Sequence, residues 1–177
     1  MTYAGTKLSS SPDPRSSNQV GLPAGVEGLL VDVVADGFVL YCCGGRASPT
    51  ALVAAYGWEG YVDLITMRSF DRITTARIPI PHGGQVDVFT PEVVVWAYEG
   101  PPQLALRAML ELVHPAHPDA PITSYPAPPG LHVPRAQQRP MTIQPPSPLR
   151  AKARAARLGA DAPTPGGQPA TNQPMMR

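Results

Sequence analysis

The stretch Glu92-Val-Val-Val-Trp-Ala-Tyr98, followed by Glu99-Gly-Pro-Pro102 and then Gln103-Leu-Ala-Leu-Arg-Ala-Met-Leu-Glu-Leu-Val-His114, decides the fold class. Its first part is a short, nearly all-apolar run rich in β-branched and aromatic residues, which reads as a strand buried on both faces and the most buried in the protein. Its second part changes period. Leu106, Met109, Leu110 and Val113 fall at i, i+3, i+4 and i+7, one apolar stripe on a helix that Pro115 ends. A strand running into an amphipathic helix predicts an α+β domain, the helix lying on one face of a small antiparallel sheet.

Upstream, Leu29–Val34 and Phe38–Cys43 are apolar runs separated by Ala35-Asp36-Gly37, which predicts a β-hairpin. Gly44-Gly45 breaks the second run. Ser48 then fits a helix cap and Pro49 the first helical position, so a short helix is expected over 49–56. Tyr61–Met67 and Arg72–Ile80 read as strands, and His82-Gly83-Gly84 as a turn into another strand over 85–89. The expected order is β-β-α-β-β-β-β-α: five to six strands and two helices over residues 26–116.

Proline sets the expected limits of that domain. Of 24 prolines, 15 lie from Pro115 onward. Each removes a backbone donor and fixes φ, so residues 117–177 are expected to be a largely disordered, Pro-rich basic tail, and 1–25 a flexible Ser/Pro-rich leader. Ser147–Leu158 alone regains a weak helical signal, with Ser147 as cap and Pro148 at the first position. The formal charge of +1 hides a split. Residues 1–129 carry seven Lys/Arg against twelve Asp/Glu (−5), and residues 130–177 carry seven against Asp161 alone (+6). The adjacent Cys42 and Cys43 point to opposite faces of a strand, which excludes a disulfide framework and favours a reducing compartment. The first residues lack the apolar core of a signal peptide, and no run is long enough to span a membrane, so a cytoplasmic protein is expected.

Two groups of residues could carry chemistry. Gly44, Gly45, Arg46 and Ser48 would form a strand-to-helix loop in which backbone N–H groups, a helix dipole and a guanidinium meet an anion. The competing reading is an ordinary turn before a capped helix, since neither phosphate-loop pattern is present. Arg150, Arg154 and Arg157 fall at i, i+4 and i+7 on the C-terminal segment, with Lys152 off that stripe. Ordered on binding, they could track a phosphate backbone; otherwise they form a solubilising terminus. His114 and His117 are too close to Pro115 and Pro118 to share a helix face, so no metal is assigned. Without a nucleophile elbow or cofactor motif, no cofactor is expected either. The aromatics Tyr56, Trp58, Tyr61, Phe70, Trp96 and Tyr98 neighbour acidic residues, which favours core packing over base stacking.

Glu92–His114, together with Tyr61-Val-Asp-Leu-Ile-Thr-Met-Arg-Ser-Phe-Asp-Arg72, resembles uncharacterised proteins of high-GC actinobacteria over about residues 26–140. The resemblance implies a cytoplasmic bacterial protein and brings no activity with it. The leading expectation is a non-catalytic interaction or regulatory module, self-associating or bound to an acidic protein or a nucleic acid through the tail. The alternative is a small enzyme or ligand-binding protein using the Gly44-Gly45-Arg46 loop.

Overall fold

The computed structural model describes residues 25–159 apart from 46, 47, 85, 139 and 146. It opens on a helix, α1 (Val26–Ala35), where a strand was expected. Val31, Val33 and Val34 favour a strand, but Val26, Leu29, Leu30 and Val33 also fall at i, i+3, i+4 and i+7. This stripe prevails, with Val26 and Val33 buried and Leu29 and Leu30 packed against the same core. Asp36-Gly37 is therefore a helix stop, not a hairpin turn. Gly37 takes φ +91, and the Gly37 and Phe38 N–H groups return to Val34 and Val33 at 3.1 and 3.3 Å.

The chain then enters β1 (Val39–Gly45) and turns back into β2 (Ser48–Trp58), with Gly45 opposite Ser48. The helix expected over 49–56 is a strand. Its residues alternate Leu52/Ala54/Tyr56 against Ala51/Val53/Ala55, and both sets meet apolar cover. Two-sided burial between β1 and a third strand thus overrides the Ser-Pro cap signal, and Pro49 sits at the exposed strand start that proline tolerates.

β3 (Tyr61–Met67) and β4 (Ile73–Pro79) follow as expected, and β4, not the stretch at 92–98, is the most continuously buried strand. No strand forms among the described residues of 85–89. The Asp87 carboxylate instead accepts from the Phe89 N–H and the Thr90 hydroxyl at 2.9 and 2.7 Å, closing a turn. The valine run splits into β5 (Val93–Val94) and β6 (Trp96–Gly100), because the intervening Val95 N–H is taken by the Arg77 carbonyl at 2.9 Å. α2 (Pro102–Leu110) then buries Leu106, Met109 and Leu110, three of the four stripe residues read from the sequence; it stops short of Val113 and His114, with the Glu111 N–H returning to the Arg107 carbonyl.

Residues 117–159, expected to be largely disordered, belong to the fold. Ala120, Leu131 and Val133 are buried, and β7 (Tyr125–Pro126) pairs with β5. Proline does not prevent this packing. An extended segment needs few backbone bonds of its own; besides local turns, two reach the body, Ala127 N–H to Glu92 O at 2.9 Å and Val133 N–H to Phe89 O at 2.7 Å. β8 (Met141–Gln144) then pairs antiparallel with β1, and α3 (Pro148–Gly159) follows. The domain thus runs past 116 to the end of α3. The leader before Gly25 and the tail beyond Gly159 lie outside the described residues.

The main sheet has the order β6-β4-β3-β2-β1-β8, all neighbours antiparallel, with a two-stranded β5-β7 sheet beside it, so the α+β class holds. One face carries α1 and α2 over Phe38, Ala54, Ile65 and Ile73. The other is covered by Val94, Leu131 and Val133. The C-terminal segment finishes the β1 edge and returns to the helical face.

Candidate functional site

Strand alternation places the site. On β2, Tyr56 and Trp58 point to the helical face. Across from them on β3, Asp63 shares that face with Ile65 and Met67, and on β4 Arg77 sits opposite Asp63. Asp63 and Arg77 are both fully buried. Their pairing is bidentate: Arg77 Nε donates to Oδ1 at 2.7 Å and Nη2 to Oδ2 at 3.0 Å. Trp58 Nε1 donates to the same Oδ2 at 2.7 Å, and Arg77 Nη1 to the Val113 carbonyl at 2.7 Å.

α3 inserts Arg154 into this arrangement, where it is 1 % exposed. Its guanidinium carbon lies 4.8, 5.0 and 5.5 Å from the ring centroids of Phe38, Tyr56 and Trp58. Nη1 donates to Asp36 Oδ2 at 2.7 Å, and Nη2 to Asp63 Oδ2 at 3.2 Å and to the Met109 carbonyl at 3.4 Å. Asp36 also receives Arg157. Around the socket, the Tyr56 hydroxyl donates to the Ala151 carbonyl at 2.6 Å and Arg150 to the Val34 carbonyl at 3.1 Å. Gly37 allows the close approach: a Cβ there would meet the Ala151 nitrogen at 2.8 Å.

Arg150, Arg154 and Arg157 therefore share one stripe, as the spacing indicated, and all three reach the body, Arg154 buried in it and Arg150 and Arg157 engaged at its exposed rim. Lys152, off the stripe, is exposed. A buried cation needs a carboxylate and aromatic faces, and the body offers both. The Gly44-Gly45 loop is a hairpin. Ser48 begins a strand, so no helix N-terminus stands there, and Arg46 lies outside the described residues. Sequence reasoning passed over Asp36, Tyr56, Trp58, Asp63 and Arg77 as a group. The available signal was Asp63 alone on a strand face with Ile65 and Met67, and Arg77 alone among Ile73, Thr75 and Trp96.

The site's chemistry is recognition of a guanidinium. Asp63 has its carboxylate engaged by four donor contacts and closed off from solvent, so no reacting group reaches it. Cys43 is buried, and burial followed by the neighbouring Cys42 pushes its thiol pKa up, away from a nucleophile. Among the described residues no group of three or more His, Cys, Asp or Glu could hold a metal ion, and no helix is long and apolar enough to cross a membrane.

His114 packs edge-on against Trp58 at 4.8 Å and its Nδ1 accepts from the Ala116 N–H at 3.0 Å. Burial, then the Arg77 charge, lower its pKa below the ordinary 6.5, with Asp63 opposing. The folded protein thus binds fewer protons here than the unfolded chain. Stability is expected to fall as pH drops below about 6.5, and thermal melts should show less acid sensitivity in His114→Gln. Parallel curves for the two proteins would remove His114 as the cause.

No protein-family model, curated protein or solved structure matches the chain.

Proposed function

We propose that the protein is a non-catalytic interaction module whose body receives an arginine-bearing strand–helix segment, and that its own β8–α3 segment is the resident occupant. The observation that carries this reading is Arg154: a full charge, 1 % exposed, held between three aromatic rings and two carboxylates contributed by the body. Beside it, β8 lengthens the sheet at β1, the mode by which sheet edges capture extended peptides. Strand pairing supplies main-chain bonds, while the arginine supplies the anchor that sets specificity. A partner segment of the same pattern, on another protein or a second copy of this chain, would compete with the resident one, which gives the module a closed and an open form.

Nucleic-acid binding by the whole stripe requires α3 to leave the body, since Arg154 is buried against Asp36 and Asp63, while the exposed Arg150 and Arg157 are already engaged by Val34 and Asp36. Anion capture at Gly44-Gly45 lacks the helix dipole that motivated it. The interaction reading is therefore the better supported.

The test uses protein folded first and cut afterwards at a protease site placed over residues 138–140. A labelled 140–159 peptide is expected to exchange into the cut protein, and the same peptide carrying Arg154→Ala to bind about 30-fold more weakly or worse, as for truncation of a buried charged anchor. Equal binding of the two peptides, or none by the first, overturns the reading. Salt-dependent binding of nucleic acid by the uncut chain would favour the tail-arm alternative.

A further inference from the structure

Away from the socket, the opposite end of the helical face is not filled. A cavity of about 130 Å³ lies between α1 and the sheet. Its wall is wholly apolar, including Leu30, Val34 and Ile65. A larger groove of about 400 Å³ opens beside it, past Cys42 and Phe70 at the β3–β4 turn. Leu52 and Met67 line both spaces and are direct cross-strand partners on the helical face, so the two spaces adjoin there and are taken together as one slot. Phe70 stands 47 % exposed at its outer end. Arg68 also lines that end, is exposed, and forms no ion pair among the described residues, whereas the next arginine, Arg72, is paired with Glu99 at 2.6 Å. The Asp71 carboxylate, held ionised by the Ser69 hydroxyl, has Arg72 as its nearby cation.

We infer that this slot binds a medium-chain fatty carboxylate, its alkyl tail running between Leu52 and Met67 beneath α1 and its carboxylate meeting Arg68. An apolar cavity stays dry and accepts apolar ligands, so its contents gain from leaving water without displacing bound solvent. The tail needs no polar partner inside. The head needs one cation at the mouth, and Arg68, without an ion pair among the described residues, stands there. The slot shares no side chain with the buried Asp63, Arg77 and Arg154 cluster, although the Val34 carbonyl meets Arg150 and Cys42 pairs with Met141 of β8.

The probe is a series of straight-chain alkanoates, from hexanoate to dodecanoate below their micelle concentrations, titrated calorimetrically into the full chain. Affinity is expected to rise about fourfold per methylene, the equivalent of ~0.8 kcal/mol for each buried CH₂, and to level off once the slot is full. Decanoate should bind about tenfold more tightly than decyltrimethylammonium, and Arg68→Gln should remove that preference while leaving decanol binding unchanged. Bound decanoate should also slow alkylation of Cys42. No binding, indifference to chain length, equal binding of the carboxylate and the ammonium, or binding that leaves Cys42 as reactive as before would each overturn the assignment.

Discussion

Asp63→Asn is expected to cost about 3–5 kcal/mol, because it leaves buried guanidiniums without their shared countercharge. Asparagine keeps the shape of aspartate, so the packing around Trp58 and Tyr56 survives and only the charge is removed. Among the described residues Arg77 has no other carboxylate within ion-pair reach, and Arg154 keeps only Asp36. Both guanidiniums are closed to water, so neither recovers hydration without opening the domain. Small domains have about 5–15 kcal/mol in total, so a shift of this size brings the protein near its limit. Urea denaturation measures it directly. The companion variant separates charge from packing: Asp63→Leu with Arg77→Met replaces the pair by apolar groups of similar size, an exchange that is often neutral. That double variant should recover most of the sheet's stability yet still fail to dock α3, because Arg154 would face an apolar wall. A cost below about 1 kcal/mol for Asp63→Asn would show that Asp63 is not the countercharge of the cluster.

The parts of this fold that are legible in the sequence are those where one local signal acts alone. α2 has a helical stripe and no competing pattern, and β3 and β4 are bounded by polar turns. The errors fall where two signals compete in the same residues. In 29–34 the valines favour a strand while their spacing favours a helix; in 49–56 Ser48-Pro49 favours a helix while the alternation of Leu52, Ala54 and Tyr56 favours a strand. Tertiary cover decides both cases, and cover depends on residues far along the chain. α1 forms because it seals the face that α2 shares, and β2 is a strand because β1 and β3 flank it.

The site is less legible than the fold for the same reason. Asp36, Tyr56, Asp63, Arg77 and Arg154 span 118 residues between the first and the last, and no local pattern joins them. The charge split was visible: an acidic body and a basic end. That split suggests either an anionic partner or the tail folding back on the body, and composition could not choose between them, because the choice depends on which strand face carries Asp63 and on Gly37 leaving room for Ala151. Proline-rich sequence argued for disorder through its lack of donors, yet a strap wound over an existing sheet needs few donors.

Arg154→Ala should behave unlike Asp63→Asn, although both break the same contact. Removing Arg154 leaves Asp63 in its bidentate pair with Arg77 and bonded to Trp58, and leaves Asp36 with Arg157. Charge inside the sheet is then balanced, so the body is expected to stay folded. α3 is a different matter. Twelve residues make a helix that is marginal alone, and without its anchor what holds it among the described residues is the Tyr56–Ala151 and Arg150–Val34 bonds, the packing of Ala151 on the core and the exposed Arg157 pair. Hydrogen exchange at residues 151–159 should accelerate about 100-fold or more, corresponding to roughly 3 kcal/mol of lost docking, while amides of β3 and β4 keep their protection. Trp58 fluorescence should shift as the cation leaves its ring. Arg154→Lys is expected to resemble alanine more than arginine, since an ammonium cannot fork between Asp36 and Asp63 while lying flat against three aromatic rings. Undiminished protection of α3 in the alanine variant would mean that Arg154 is not the anchor. Loss of protection across the whole sheet would make α3 an inseparable part of the core rather than the occupant of a binding surface.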